Sequence, residues 1–165
     1  MYDKFGEFGS VEELNKAAEG FRNEGDIKSL YELAEENGIS KEDVADYMDG
    51  YVDKLASEMI AAYGRLNMEK MEMEKCTDIM EKSMLYYILL FIDGMLLDAE
   101  MQKAIMKKGK SPRKLLEQMK NTARKHAEGN TGVCCGTDKE LKDLIRTYYT
   151  QSEDELKEKL DSLYK

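Results

Sequence analysis

The stretch MLYYILLFIDGMLL, residues 84–97, carries the decision about the fold. Wound as a helix it is apolar on nearly every side except at Asp93 and Gly94. Its longest unbroken apolar run, residues 84–92, is far short of the roughly 20 residues that span a bilayer. Other helices must therefore cover it, and the segment is read as a central helix at about residues 77–108.

Candidate partners lie on both sides of it in the chain. Val11, Leu14, Ala18 and Phe21 recur at helical spacing, as do Ile27, Leu30, Leu33 and Ala34. Leu141, Leu144, Ile145 and Tyr148 form a third stripe, and Leu156, Leu160 and Leu163 a fourth. Ser10, Thr137 and Ser152 each have Glu three residues on, the pattern in which a hydroxyl and a carboxylate satisfy the free amides of a helix start. Ser111 before Pro112 marks another start, and Gly129 is placed to stop that helix. Residues 41–75 are also helical in pattern, with possible breaks at Gly50, Gly64 and Asn67.

Composition agrees. The 165 residues include 12 methionines and one proline, and 36% are Asp, Glu, Lys or Arg. Long unbranched side chains suit helices, whereas sheets lean on β-branched residues and turn prolines. The expected fold is all-α, a compact multi-helix bundle around the 77–108 helix. Its length suits one domain or two small ones, divided here into residues 1–66 and 67–165.

Charge is unevenly spread. Residues 1–100 hold 24 acids against 10 bases, and residues 101–165 hold 10 against 15. An acidic surface repels phosphate and favours basic proteins, while a basic one meets nucleic acid or acidic partners. Residues 31–48, YELAEENGISKEDVADYM, have helix-turn-helix spacing, with Ala34 at the crossing, Gly38 in the turn and Val44 seating the second helix. That second helix carries Glu42, Asp43, Asp46 and Asp49 against Lys41 alone, which opposes entry into a DNA groove. Glu35, Glu36, Glu42, Asp43, Asp46, Asp49 and Asp53 form a candidate acidic face for a basic protein groove, the alternative being a solvated surface.

Residues 103–125 contain nine Lys or Arg and a single acid, Glu117. The helix starting at Pro112 sets Leu115, Leu116, Met119, Ala123 and Ala127 on one side and Arg113, Lys120 and Arg124 on the other. With Lys107, Lys108 and Lys110 these make a candidate basic ridge for nucleic acid or an acidic partner. Cations in a last helical turn also serve the helix dipole, which is the plainer reading of Lys107 and Lys108.

The reading predicts no cofactor, no metal and no catalytic site. GNTGVCCGT, residues 129–137, lacks the Gly-Lys-Ser/Thr ending of a phosphate loop. Cys134 and Cys135 are adjacent and, with His126, make too few ligands for zinc. A calcium loop built on Gly50 would start at Ala45, which has no side-chain oxygen. His126 is the only histidine. An odd count of three cysteines suits a reducing cytoplasm, and Tyr2, Asp3 and Lys4 do not open a signal segment.

Residues 99–151 resemble the PcfK-like family of small proteins encoded on conjugative and other mobile elements. The likeness rests on the Lys-Lys-Gly-Lys-Ser turn at residues 107–111, the helix ending Ala123-Arg124-Lys125, a loop, and a last helix closing on Tyr148-Tyr149. The departures are the glycine-rich loop with Cys134 and Cys135 and a less acidic last helix. Residues 2–65 are similar to a module of proteins from gut-associated Gram-positive mobile elements. Some PcfK-like relatives are anti-CRISPR proteins, so the resemblance implies a stoichiometric inhibitor. Its partner would be the RNA-guided type II CRISPR effector nuclease with its guide RNA, in the bacterial cytoplasm. The family supplies no catalytic residue. Two alternatives stand beside it: a nucleic-acid-binding accessory protein of a mobile element, touching DNA or RNA directly, and a structural helical homo-oligomer.

Overall fold

The computed structural model describes residues 2–127 and 136–164, and among these it has nine α-helices and no strand. They are α1 (Val11–Glu24), α2 (Ile27–Glu36), α3 (Lys41–Asp49), α4 (Glu58–Glu74), α5 (Ile79–Asp93), α6 (Ala99–Ile105), α7 (Pro112–Lys125), α8 (Asp138–Thr150) and α9 (Glu153–Ser162). Gly129, Cys134 and Cys135 lie outside the described residues. The all-α expectation holds.

Local chemistry starts these helices where the caps predict. Ser10, Ser111, Thr137 and Ser152 each accept the backbone N–H three residues on. At Thr137 and Ser152 the reciprocal bond from the third-residue glutamate is also made. Glu13 differs, because its carboxylate takes the N–H of Gly9 (2.8 Å) instead of that of Ser10. Asp26, Ser40, Ser57, Asp78 and Asp98 cap the others. α7 ends at Lys125, with the His126 N–H on the Thr122 carbonyl, before Gly129 is reached.

The expected helix at 77–108 is instead two helices. α5 stops at Asp93, the chain turns through residues 94–97, and Asp98 starts α6 by accepting the Glu100 N–H at 2.9 Å. Glycine is a poor helix former and aspartate a strong N-cap, so Gly94 and Asp98 together make the break cheaper than a continuous helix. Buried Gln102 donates its side-chain N–H to the Leu96 carbonyl at 2.6 Å, satisfying an acceptor that the turn leaves open. α5 is also not covered all round. Leu85, Ile88, Leu89 and Ile92 are buried, whereas Tyr86, Tyr87 and Leu90 are exposed. In α2, Ile27 is exposed as well, since at the first helical position it lies beyond the core that buries Leu30, Leu33 and Ala34.

Two hydrophobic clusters build the interior. One joins α1, α2, α3, the start of α4 and Met106. The other joins the rest of α4 with α5 to α9. Ala61 belongs to the first and Ala62 and Leu66 to the second, so α4 serves both, and the division drawn at residue 66 falls inside this helix. Gly50 ends α3 in the left-handed conformation, while Gly64 and Asn67 continue α4 unbroken.

The α2–α3 turn sits on α4 at closest range. Gly38 has φ +67°, and a Cβ built there would overlap the Gly64 carbonyl oxygen and lie 2.8 Å from its carbon. One at Gly64 would in turn overlap the Asn37 oxygen. The crossing needs two glycines, and it fixes α2 and α3 against the rest of the molecule.

Candidate functional site

The seven acidic residues named above are held by well-anchored elements. Ser40 starts α3, and Glu42 and Asp43 sit in its first turn, where carboxylates complement the helix dipole. The segment after α3, which carries Asp53, is tied to α1 by Asn15: its amide donates to the Ala56 carbonyl at 2.8 Å and its oxygen accepts the Ala56 N–H at 3.0 Å.

Two of the seven are spent within the fold. Glu36 accepts the backbone N–H groups of Lys4 (2.8 Å) and Phe5 (3.1 Å), and so straps the N-terminal segment to α2. Asp43 accepts the Ser40 hydroxyl at 2.7 Å. Side chains of the other five, Glu35, Glu42, Asp46, Asp49 and Asp53, make no hydrogen bond or ion pair among the described residues and are exposed. Glu35, Glu36 and Glu42 border one groove of about 950 Å³, shared with Lys4, Lys28, Lys41 and Lys75. Asp43, Asp46 and Asp53 border a second, of about 360 Å³. Asp49 borders neither.

The basic ridge has a different fate. On α7, Leu115, Leu116, Met119 and Ala123 are buried, as the helical spacing requires. Arg113 and Lys120, however, lean towards α5 and share one carboxylate, Glu81, at 2.6 Å and 2.9 Å. The hydrogen bond from Lys120, with both cations near, holds the Glu81 carboxyl below its ordinary range. Lys108 pairs with Glu13 at 3.2 Å. Lys110 lies 4.5 Å from the centre of the Tyr148 ring, and burial pulls its ammonium down from the usual lysine range. Arg124 bonds Asn121 in its own helix at 3.0 Å, and Lys107 is exposed. Acids from the first hundred residues thus neutralise half of the six ridge residues.

Sequence reasoning passed over the charged centre of the molecule. Arg65, 4% exposed, lies on α4 among Ala61, Ala62 and Leu66. Its guanidinium donates to the Tyr2 hydroxyl (2.8 Å), the Ile105 carbonyl (3.0 Å) and the Glu7 carboxylate. Glu7 also accepts the Gly109 N–H, 3.0 Å from each oxygen. The Lys-Lys-Gly-Lys-Ser turn is therefore pinned by an internal ion pair. An arginine occupying a position of the apolar helical stripe was the available signal.

Glu69, one helical turn beyond Arg65, is mostly buried, and burial pushes its carboxyl up to about 7 even though Arg65 and Arg113 pull the other way. A folded-state value above the ordinary carboxylate range means that the native state holds this proton more tightly than the unfolded chain. The contribution of Glu69 to stability is then fully present below pH 4.5 and is lost as pH rises through 7, where a largely desolvated carboxyl must ionise. Glu69→Gln is expected to raise the unfolding free energy by about 2–3 kcal/mol at pH 8 and to change it little at pH 4, as read from urea titrations at the two pH values. Equal effects at both would refute it.

Among the described residues no three or more His, Cys, Asp and Glu side chains are grouped to hold a metal ion. His126 stacks on Tyr164, ring centres 4.7 Å apart, and lies 3.3 Å from Asp161. No described helix is long and apolar enough to cross a membrane. Comparison with family models, curated proteins and solved structures returns no match.

Proposed function

We propose that this protein is a stoichiometric anti-CRISPR inhibitor carried by a mobile element. It acts in the bacterial cytoplasm by binding the RNA-guided type II effector nuclease with its guide RNA, and so blocks target-DNA binding or cleavage. The observation that carries the reading is the pole of five exposed carboxylates on α2, α3 and the segment that follows, none engaged by a cation among the described residues. Such a nuclease holds its guide heteroduplex in a positively charged channel and reads a short duplex motif with arginines. Carboxylates on a rigid helical scaffold compete for those groups through charge-assisted hydrogen bonds. The resemblance of residues 99–151 to the PcfK-like family points the same way. Nothing in this mode needs bond-making groups, cofactor or metal; recognition is by surface.

The alternative of a nucleic-acid-binding accessory factor needs free cations along the ridge, yet Lys108 in the turn before α7 is paired with Glu13, and Arg113 and Lys120 on α7 with Glu81. The ridge is at most an accessory contact. Competition binding to the guide-loaded nuclease at two salt concentrations tests the proposal. Reversing Glu42, Asp46 and Asp49 to lysine is expected to weaken binding tenfold or more, about 1.4 kcal/mol, while Arg113, Lys120 and Arg124 changed to glutamate have a smaller effect. A nuclease whose DNA binding and cleavage are untouched by a large excess of the protein overturns the proposal. Direct duplex binding lost on reversal of the ridge would favour the accessory factor.

A further inference from the structure

α5 has two apolar faces, and the fold uses one. Leu85, Ile88, Leu89 and Ile92 enter the core. On the opposite side Ile79, Ser83, Tyr86 and Leu90 follow one another at steps of four, three and four residues, which is the spacing of a coiled-coil seam. Met80 and Tyr87 flank that seam. Ile79 is 83% exposed and Met80 70%, and Tyr86, Tyr87 and Leu90 are about half exposed. These six positions are uncharged, and Lys82 and Asp93 on the seam's other edge are paired with Glu74 and Lys70 of α4.

We infer that this face is a self-association surface, on which α5 of one copy packs antiparallel against α5 of a second. Five features select a second copy. The spacing of the seam suits another helix of the same pitch. Five large apolar side chains, half to four-fifths bare, offer on the order of 700 Å², close to what each partner buries in a stable interface of standard size. A two-fold axis near the middle of the seam sets Ile79 against Leu90 at both ends and Tyr86 against Ser83. Serine leaves room for the tyrosine ring, and its hydroxyl is already donated to the Ile79 carbonyl at 2.8 Å, so it is buried without losing a partner. Antiparallel pairing also sets the positive end of one helix dipole beside the negative end of the other. The five unpaired carboxylates of the acidic pole lie on α2, α3 and the segment after it, so none is brought into the seam.

Sedimentation equilibrium of the full chain tests this. At high micromolar concentration the mass is expected near twice 19.0 kDa. Ile79→Lys and Leu90→Glu should each weaken dimerisation at least a hundredfold, with circular dichroism unchanged and the melting temperature equal to that of the wild type at dilutions where neither is dimeric, because both side chains are exposed. The double variant should regain the dimer at low salt, because each lysine then faces a glutamate across the axis. A wild-type mass of 19.0 kDa at millimolar concentration overturns the inference, even if a different protein is found to dock on α5. A double variant that stays monomeric overturns the antiparallel pairing. Nuclease binding is scored separately through the acidic-pole variants, so either idea can fail without the other.

Discussion

Gly38→Ala is expected to lower the unfolding free energy by about 3 kcal/mol or more, with Gly64→Ala close behind. Two costs combine at Gly38. Its φ of +67° is a left-handed conformation that costs an L-residue about 1–2 kcal/mol. Its Cβ would also fall on the Gly64 carbonyl, a backbone atom that cannot rotate away as a side chain can. Overpacking of this kind typically costs about 1–3 kcal/mol when neighbours can yield. Gly64 has ordinary helical backbone, so its alanine meets the second cost alone, against the Asn37 and Gly38 oxygens. As a control, Gly20→Ala, at an open helical position, should be neutral or slightly stabilising. Urea midpoints of the three variants give the comparison; if Gly38→Ala matched Gly20→Ala, the close crossing of the α2–α3 turn on α4 would be refuted. Because that crossing orients α3, Gly38→Ala should also weaken any binding that depends on the acidic pole.

Arg65→Met is expected to cost about 3–5 kcal/mol, the range for removing one member of a buried ion pair. Hydrophobic volume is kept, but Glu7 loses its cation, Tyr2 loses its donor and the Ile105 carbonyl is left open. Arg65→Lys should not rescue it, because one ammonium cannot reproduce a planar fork that bonds three groups in different directions. Glu7→Gln combined with Arg65→Met should lose less than the two single changes added together, since no unpaired carboxylate remains. Limited proteolysis gives a second readout. Residues 2–9 are held by Arg65, Glu36 and Glu13, so cleavage ahead of Ser10 should accelerate in Arg65→Met. A loss under about 1 kcal/mol would mean that the node is not structural.

Much of the helical framework was legible in the chain. Each of the four expected N-caps is found, and Leu14, Leu33, Leu115, Leu144 and Leu156 all face the interior as their spacing requires. These are outcomes of short-range chemistry: a hydroxyl reaches an amide three residues away whatever the rest of the molecule does. The 77–108 segment shows where such reasoning runs out. Its hydrophobicity made one long covered helix the natural expectation, yet Gly94 and Asp98 break it, and half of α5 faces outward.

The candidate sites divide along the same line. That residues 35–53 are acidic and 103–125 basic is written in the composition, and so is the placement of α7 cations opposite its apolar side. Which charges stay free is not, because Glu13 reaches Lys108 and Glu81 reaches Arg113 and Lys120 only after helices distant in the chain have docked. Arg65 is the clearest case: one residue number among many in the sequence, and in the folded protein the link between the N-terminal segment, α4 and the turn after α6. Periodicity and caps act over three or four residues and are read directly from order along the chain. Electrostatic neutralisation and exposure depend on distances through space, which are set when the two clusters close on α4.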